Sequence, residues 1–135
     1  MNKGFSLIEV IVSVAIVAIL CISFTALTLQ ALKVSRINAN ELKARMYVQE
    51  LMEVAIDLEQ SGDEGWTKLS EYTVCHPFID GGKWQLSVGP ETIDIYTRSL
   101  LVESIDPNKK KVTASISWPD KSLTIESYVY NYAEE

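Results

Sequence analysis

Residues 10–29 contain no charged side chain and are mostly aliphatic. As an α-helix with a rise of about 1.5 Å per residue, this segment is roughly 30 Å long, which matches the hydrocarbon core of a bilayer. A secretory signal peptide has a shorter apolar region followed by a small-residue cleavage site, whereas this segment continues directly into a helical pattern. The sequence therefore predicts one transmembrane helix that the mature protein keeps.

Length and charge restrict the other possibilities. A chain of 135 residues suffices for one domain with a modest core. The net charge is −6, and the basic residues beyond Lys33 are interleaved with acidic ones. Nucleic-acid binding needs a concentrated basic surface, so we expect no direct nucleic-acid partner. Cys21 lies in the apolar segment and Cys75 in the polar part, and we expect both to be unpaired thiols.

Glu9 is the only acidic residue that precedes Glu41, and it stands at the edge of the apolar helix. An ionised carboxylate carried to the middle of a bilayer costs about 2–3 kcal/mol. A nearby positive charge should therefore compensate it.

The start of the chain supplies a candidate for that charge. Residues 3–10 read Lys-Gly-Phe-Ser-Leu-Ile-Glu-Val and resemble the type IV prepilin signature of a basic leader, Gly, Phe, a hydroxyl residue, two aliphatic residues and Glu. The resemblance implies that a prepilin peptidase and methyltransferase cleaves between Gly4 and Phe5 on the cytoplasmic side and methylates the new amine of Phe5. One helical turn separates Phe5 from Glu9, so the carboxylate can pair with its own amine or a neighbour's.

The resemblance implies a structural subunit. The sequence has no Gly-rich phosphate loop and no Ser/His/Asp set, so we expect no enzymatic activity and no cofactor. It would belong to a type IV pilus, a type II secretion pseudopilus or a DNA-uptake pilus. Its partners would be other pilins, membrane lipids before assembly, a platform membrane protein and an assembly ATPase. The apolar helix lacks the proline of many major pilins, and Cys75 alone cannot form their C-terminal disulfide. These departures favour a minor subunit. The alternative is a permanently anchored single-span protein with an extracytoplasmic binding head.

The expected location is the inner membrane, with the C-terminal head outside the cytoplasm and in a filament after assembly. Basic residues oppose this orientation, because four of them closely follow the span and only Lys3 precedes it. The four are Lys33, Arg36, Lys43 and Arg45. We give the cleavage motif more weight, because its peptidase requires a cytoplasmic leader.

The remaining sequence predicts an amphipathic continuation of the helix followed by β-strands. Apolar residues recur at spacings of three and four up to a C-cap at Gly62, after which we expect a loop; they are Val34, Ile37, Leu42, Val48, Leu51, Met52, Ala55, Ile56 and Leu58. Alternating β-branched and aromatic residues, separated by turn residues, predict five strands at 72–79, 83–88, 92–103, 111–118 and 122–130.

The predicted fold is thus α+β and pilin-like, with a long N-terminal helix, transmembrane in its first half, whose second half packs on a small antiparallel β-sheet. The expected organisation is a leader at 1–4, a transmembrane and filament-core helix at 5–32, its amphipathic continuation at 33–60 and a β-rich head at 61–135. The head and residues 33–60 should pack as one domain.

Several polar residues invite a chemical role that their spacing does not support. Cys75 and His76 are adjacent but lack further ligands at zinc spacing. The acidic residues Asp57, Glu59, Asp63 and Glu64 do not follow a calcium loop, and Asp94 with Glu103 is an arbitrary acid pair. We therefore predict no metal site. Trp66, Trp84 and Trp118 are expected in the core, and Ser13, Ser23, Thr25 and Thr28 could bond a neighbouring helix or their own backbone.

Overall fold

The computed structural model describes residues 6–71, 73–119 and 121–131. It has an α+β architecture, as the sequence predicted, in the order α1 (Leu7–Gln60), α2 (Asp63–Glu71), β1 (Val74–Asp80), β2 (Lys83–Val88), β3 (Glu91–Ile93), β4 (Tyr96–Asp106), β5 (Lys109–Trp118) and β6 (Lys121–Tyr130). The chain divides into two compact units, Met1–Asn40 and Glu41–Glu135. From here on, the head means the second unit, Glu41–Glu135, which contains the last part of α1 as well as the β-rich residues.

The six strands form one antiparallel sheet. The strand order is β2-β1-β4-β5-β6, and the short β3 pairs with β4 beside β1. The predicted strands at 83–88, 111–118 and 122–130 are confirmed as β2, β5 and β6 to within two residues. The first predicted strand appears as β1, although Tyr72, where we expected it to begin, lies outside the described residues.

Two-residue hairpins set the register of the sheet. Gly81 and Gly82 join β1 to β2 with φ angles of 57° and 78°, which is the left-handed pair that a type I′ turn requires. The prediction of one strand over 92–103 was wrong, because the chain reverses between Ile93 and Tyr96. Asp94 has a φ of 58° there, a conformation that Asp tolerates better than most residues, and alternation alone did not reveal the turn.

The core of the head lies between residues 41–60 of α1 and one face of the sheet. The buried residues of α1 recur with a helical period, which places them in one stripe; they are Ala44, Val48, Leu51, Val54, Ala55 and Leu58. Alternate residues of the strands complete the core, among them Tyr96, Leu100, Val112, Ala114 and Ile116. The Tyr47 and Tyr96 rings meet edge to face at 5.5 Å.

Four positions of the predicted apolar stripe are wrong. Val34, Ile37, Leu42 and Ile56 are exposed, whereas Ala44 and Val54, which the prediction omitted, are buried. Val34 and Ile37 belong to the first unit, outside the head. Each residue of a helix is rotated by about 100° from the one before it, so Leu42 points away from Ala44 and Ile56 points away from Ala55. Both therefore lie outside the buried stripe. The burial of α1 therefore begins about one turn after Asn40.

A second helix replaces the loop that we expected after Gly62. Gly62 has the predicted left-handed conformation, with a φ of 74°, but the chain then forms α2. Acidic residues occupy its first turn, and Lys68 pairs with Glu64 at 3.2 Å one turn earlier, both of which favour a helix. Leu69 is fully buried, so packing on the core completes the stabilisation.

Candidate functional site

Glu9 lies in the first turn of α1. Its amide donates to the carbonyl of Ser6 at 2.9 Å, and the hydroxyl of Ser13 donates to the carbonyl of Glu9 at 2.7 Å. The carboxylate therefore stands at the positive end of the helix dipole. The predicted processing residues Gly4 and Phe5 lie outside the described residues, so the proximity of Phe5 to Glu9 stays a prediction.

The helix around Glu9 is mostly aliphatic on every side and carries no other charge before Lys33. All residues from 6 to 39 are exposed within the chain, including the large side chains of Leu7, Ile8 and Phe24. A helix that is apolar all round is stable only when lipid or other helices cover it. Among the described residues, α1 is long and apolar enough to cross a membrane, by length and composition.

The hydroxyl residues of this segment bond to their own helix, which is one of the two roles that we considered. Each donates to the carbonyl four residues earlier at 2.7–2.9 Å; they are Ser13, Ser23, Thr25 and Thr28. Such bonds satisfy a polar side chain inside an apolar environment. The segment can therefore lie in lipid without unsatisfied hydroxyl groups.

Cys75 and His76 point to opposite faces of β1. Cys75 is fully buried in the core, and its thiol lies 3.5 Å from the carbonyl of Leu100. The half-buried His76 places Nδ1 2.9 Å from the carbonyl of Gly89. Both cysteines are free thiols, as predicted. The structure thus separates the two side chains that seemed to form a pair in the sequence.

The buried thiol leads to a testable prediction. Burial raises the pKa of the Cys75 thiol to about 11 from its ordinary value of 9.0, which lowers its thiolate fraction at neutral pH about a hundredfold. We expect maleimide at pH 7.5 to label Cys75 at least about a hundredfold more slowly in the folded chain than in urea, measured by mass spectrometry in a Cys21→Ala background. The folded state keeps this proton longer than the unfolded state, so this thiol's contribution to stability should decrease as pH rises from about 9 to 11. Equal labelling rates would contradict the buried position.

The acidic residues occupy separate places. Glu59 accepts a hydrogen bond from the amide of Tyr130 at 3.1 Å, and Glu64 pairs with Lys68. Asp94 lies in the β3–β4 turn, two residues before β4 begins at Tyr96. Glu103 lies seven residues further along β4, about 24 Å from Tyr96, so the two acids are far apart. Among the described residues, no three His, Cys, Asp or Glu side chains are grouped so that they could hold a metal ion.

The three tryptophans are half-buried and pack against the core, as predicted. Trp118 lies 6.2 Å from Tyr96 between ring centroids, and the Trp66 ring lies 3.8 Å below the ammonium of Lys110. These rings thus pack within the head and cover part of its core.

Sequence reasoning missed two buried cations. Arg98 pairs with Glu91 at 2.8 Å and with Glu50 of α1 at 3.1 Å. Lys110 donates to the carbonyl of Trp66 at 2.7 Å and to the hydroxyl of Ser70, and burial lowers its pKa. The signal was available, since both residues are in phase with the buried positions of their strands. These cations join α1, α2 and the sheet.

The fold and the N-terminal segment together define a class of protein. A long helix that begins fully apolar and ends on a small antiparallel sheet is a pilin-like α+β arrangement. Residues 1–25 match the family model of the prokaryotic N-terminal methylation motif, which is the type IV prepilin-like signature. No curated protein and no solved structure matches the chain. The motif indicates a type IV prepilin-like protein, and the apolar helix fits anchoring in the inner membrane.

Proposed function

We propose that the chain is a structural, minor subunit of a type IV pilus or a type II secretion pseudopilus. It is made as a prepilin, cleaved after Gly4, methylated at Phe5 and assembled through packing of its N-terminal helix. The observation that carries this proposal is Glu9, a single carboxylate in the first turn of a mostly aliphatic helix that is otherwise uncharged and is exposed from Leu7 to Leu32.

The pairing of Glu9 supplies the selectivity of assembly. Cleavage creates an amine on Phe5, about 6 Å along the helix axis from Glu9. When subunits stagger axially, this carboxylate reaches the amine of a neighbour. Either charge left alone among packed apolar helices is strongly unfavourable, so the correctly staggered neighbour is selected.

Three features support the minor class. No proline occurs in α1, so the helix lacks the usual cause of a sharp kink. Cys75 is a buried free thiol, so the disulfide of many major pilins has no counterpart among the described residues. The head has a short sheet with no large insertion between its hairpins.

The proposed orientation places the head outside the cytoplasm. Two of the basic residues that oppose it are held in ion pairs of the head, since Lys43 lies 3.9 Å from Asp94 and Arg45 lies 2.9 Å from Glu41. Prepilin peptidase and other pilins are the partners that the motif implies. We add an assembly platform protein and its ATPase as proposed partners.

The decisive experiment is co-expression of the full chain with a prepilin peptidase, followed by intact-mass measurement of the membrane fraction. We expect loss of Met1 to Gly4 and one methyl group on Phe5. The control is the same peptidase with its catalytic aspartates replaced, which should leave the leader in place. An intact leader beside the active peptidase would contradict the proposal and favour a permanently anchored protein with a binding head.

A further inference from the structure

Two cations stand where the uncharged part of α1 ends. They are Lys33 and Arg36, three positions apart, and both side chains are exposed. Neither side chain forms an ion pair or a hydrogen bond with another described residue. The nearest acidic residue further along α1 is Glu41, whose carboxylate is already paired with Arg45 at 2.9 Å and Lys121 at 3.3 Å. The two charges therefore have no counter-ion in their own part of the helix.

Their position along α1 places these charges at the surface of a bilayer. The uncharged residues 10–29 match the hydrocarbon core, and the headgroup region adds about 5–7 Å on each side. Lys33 lies about 6 Å and Arg36 about 10 Å beyond Leu29 along the helix axis. Side chains of a helix lean toward its N-terminus, which here is the direction of the bilayer. Both charged groups therefore reach the level of the phospholipid phosphates.

The two cations share one face of α1 with apolar side chains. Leu29, Leu32, Lys33, Arg36 and Ile37 line one shallow groove, which we call the basic groove. Spacings of three and four bring them to the same side of the helix. Leu29 and Leu32 lie on the bilayer side of the cations and are 64% and 55% exposed. A second groove along α1 is lined by uncharged residues alone, so the positive charge is confined to one face.

This combination selects an anionic phospholipid among the possible occupants. Residues three positions apart have Cβ atoms about 5–6 Å apart, so an ammonium and a guanidinium there can both donate to one phosphodiester. The leucines supply a surface for the acyl chain of the same lipid. A zwitterionic lipid adds a cation, which the two basic side chains repel. An acidic protein segment could pair with the charges, but it could not cover leucines at the depth of the hydrocarbon.

We propose that Lys33 and Arg36 bind the headgroup phosphate of an anionic phospholipid, whose acyl chain lies along Leu29 and Leu32. Such binding requires the membrane anchoring that the proposed function includes, but it does not require cleavage or filament assembly. It also gives a role to the two basic residues after the span that no ion pair of the head holds.

The test is native mass spectrometry of the full chain in a neutral detergent, titrated separately with phosphatidylglycerol and phosphatidylcholine. We expect phosphatidylglycerol to bind the wild-type chain more tightly. Lys33→Gln with Arg36→Gln keeps helix propensity but removes both charges, and should weaken phosphatidylglycerol binding about thirtyfold while phosphatidylcholine binding stays the same. Lys33→Arg with Arg36→Lys keeps both charges and should retain most of the affinity.

The matched control is Lys43→Gln with Arg45→Gln, the same residue types on the same helix but held in ion pairs of the head, which should leave affinity unchanged. The proposal is overturned if the wild-type chain binds both lipids equally, or if the two glutamine variants behave alike. Displacement of the lipid by inorganic phosphate at equal concentration would also overturn it, because the groove would then recognise a free anion.

A cross-linking experiment distinguishes lipid from a neighbouring subunit. Arg36→Cys in a Cys21→Ala background should stay monomeric under oxidation in membranes without an assembly system, since lipid covers the basic groove. Cross-linked copies would overturn the proposal, because the groove would then be a contact between subunits. Both experiments use unassembled chains, so their outcomes are separate from those of leader cleavage and filament assembly.

Discussion

Glu9→Val should reduce incorporation into filaments more than about a hundredfold while membrane insertion stays normal. The change removes the partner of the Phe5 amine and leaves that charge among packed helices, where loss of one member of a buried pair costs about 3–5 kcal/mol. Valine is favourable in a membrane helix, so the unassembled subunit should remain in the inner membrane. The measurement is the ratio of sheared filament to membrane-bound subunit by immunoblot in the native assembly system.

The matched control for this substitution is Glu53→Val. Glu53 lies on the exposed side of α1 in the head, and the same change of residue type there should leave assembly intact. Glu9→Asp keeps the charge on a shorter side chain and should retain part of the incorporation into filaments. Normal assembly of the Glu9→Val protein would refute charge pairing as the source of register, while the processing of Gly4 and Phe5 would stand or fall on its own test.

Strong local signals account for what the sequence predicted well. The helix was expected over residues 5–60 and is described from Leu7 to Gln60, because an apolar segment and a left-handed Gly62 mark its extent. Glycine and proline turns likewise defined β2, β5 and β6, where alternation and turn chemistry agree.

Tertiary packing accounts for what the sequence did not predict. Helix α2 is short and contains Gly65, so its propensity is weak until Leu69 packs on the core. The paired positions of Arg98 with Glu50 and Glu91 depend on how α1 sits on the sheet, which no local pattern encodes.

For the candidate site, the motif supplied the roles of Gly4 and Phe5, and the cost of a lone carboxylate in an apolar helix identified Glu9 as the residue that needs a charged partner. The structure adds that Glu9 is in the first helical turn and that the helix around it has no covering contacts within residues 6–39. The motif thus supplies the chemistry of processing, and the exposed apolar helix shows that lipid or other helices must surround this segment. Their agreement on assembly is the basis of the proposed function.

Gly65→Ala should destabilise the head by roughly 2–4 kcal/mol, although the same change in a helix interior normally stabilises by about 0.5–1 kcal/mol. A Cβ at this position would lie 1.9 Å from the backbone carbonyl oxygen of Leu58 and 2.8 Å from its carbon. Because these are backbone atoms of α1, no side chain can rotate away. Helix α2 would have to move and uncover Leu69 and Trp66.

The measurement is urea unfolding of the full chain in detergent, monitored by tryptophan fluorescence. All three tryptophans pack against the core of the head and should report its unfolding. Gly62→Ala is the control, because its φ of 74° imposes a conformational cost of about 1–2 kcal/mol while no atom lies within 4 Å of the added Cβ. The two variants separate steric exclusion from backbone strain. If Gly65→Ala is as stable as the wild type, the close packing of α2 on the last turns of α1 is wrong, because nothing else at that position distinguishes glycine from alanine.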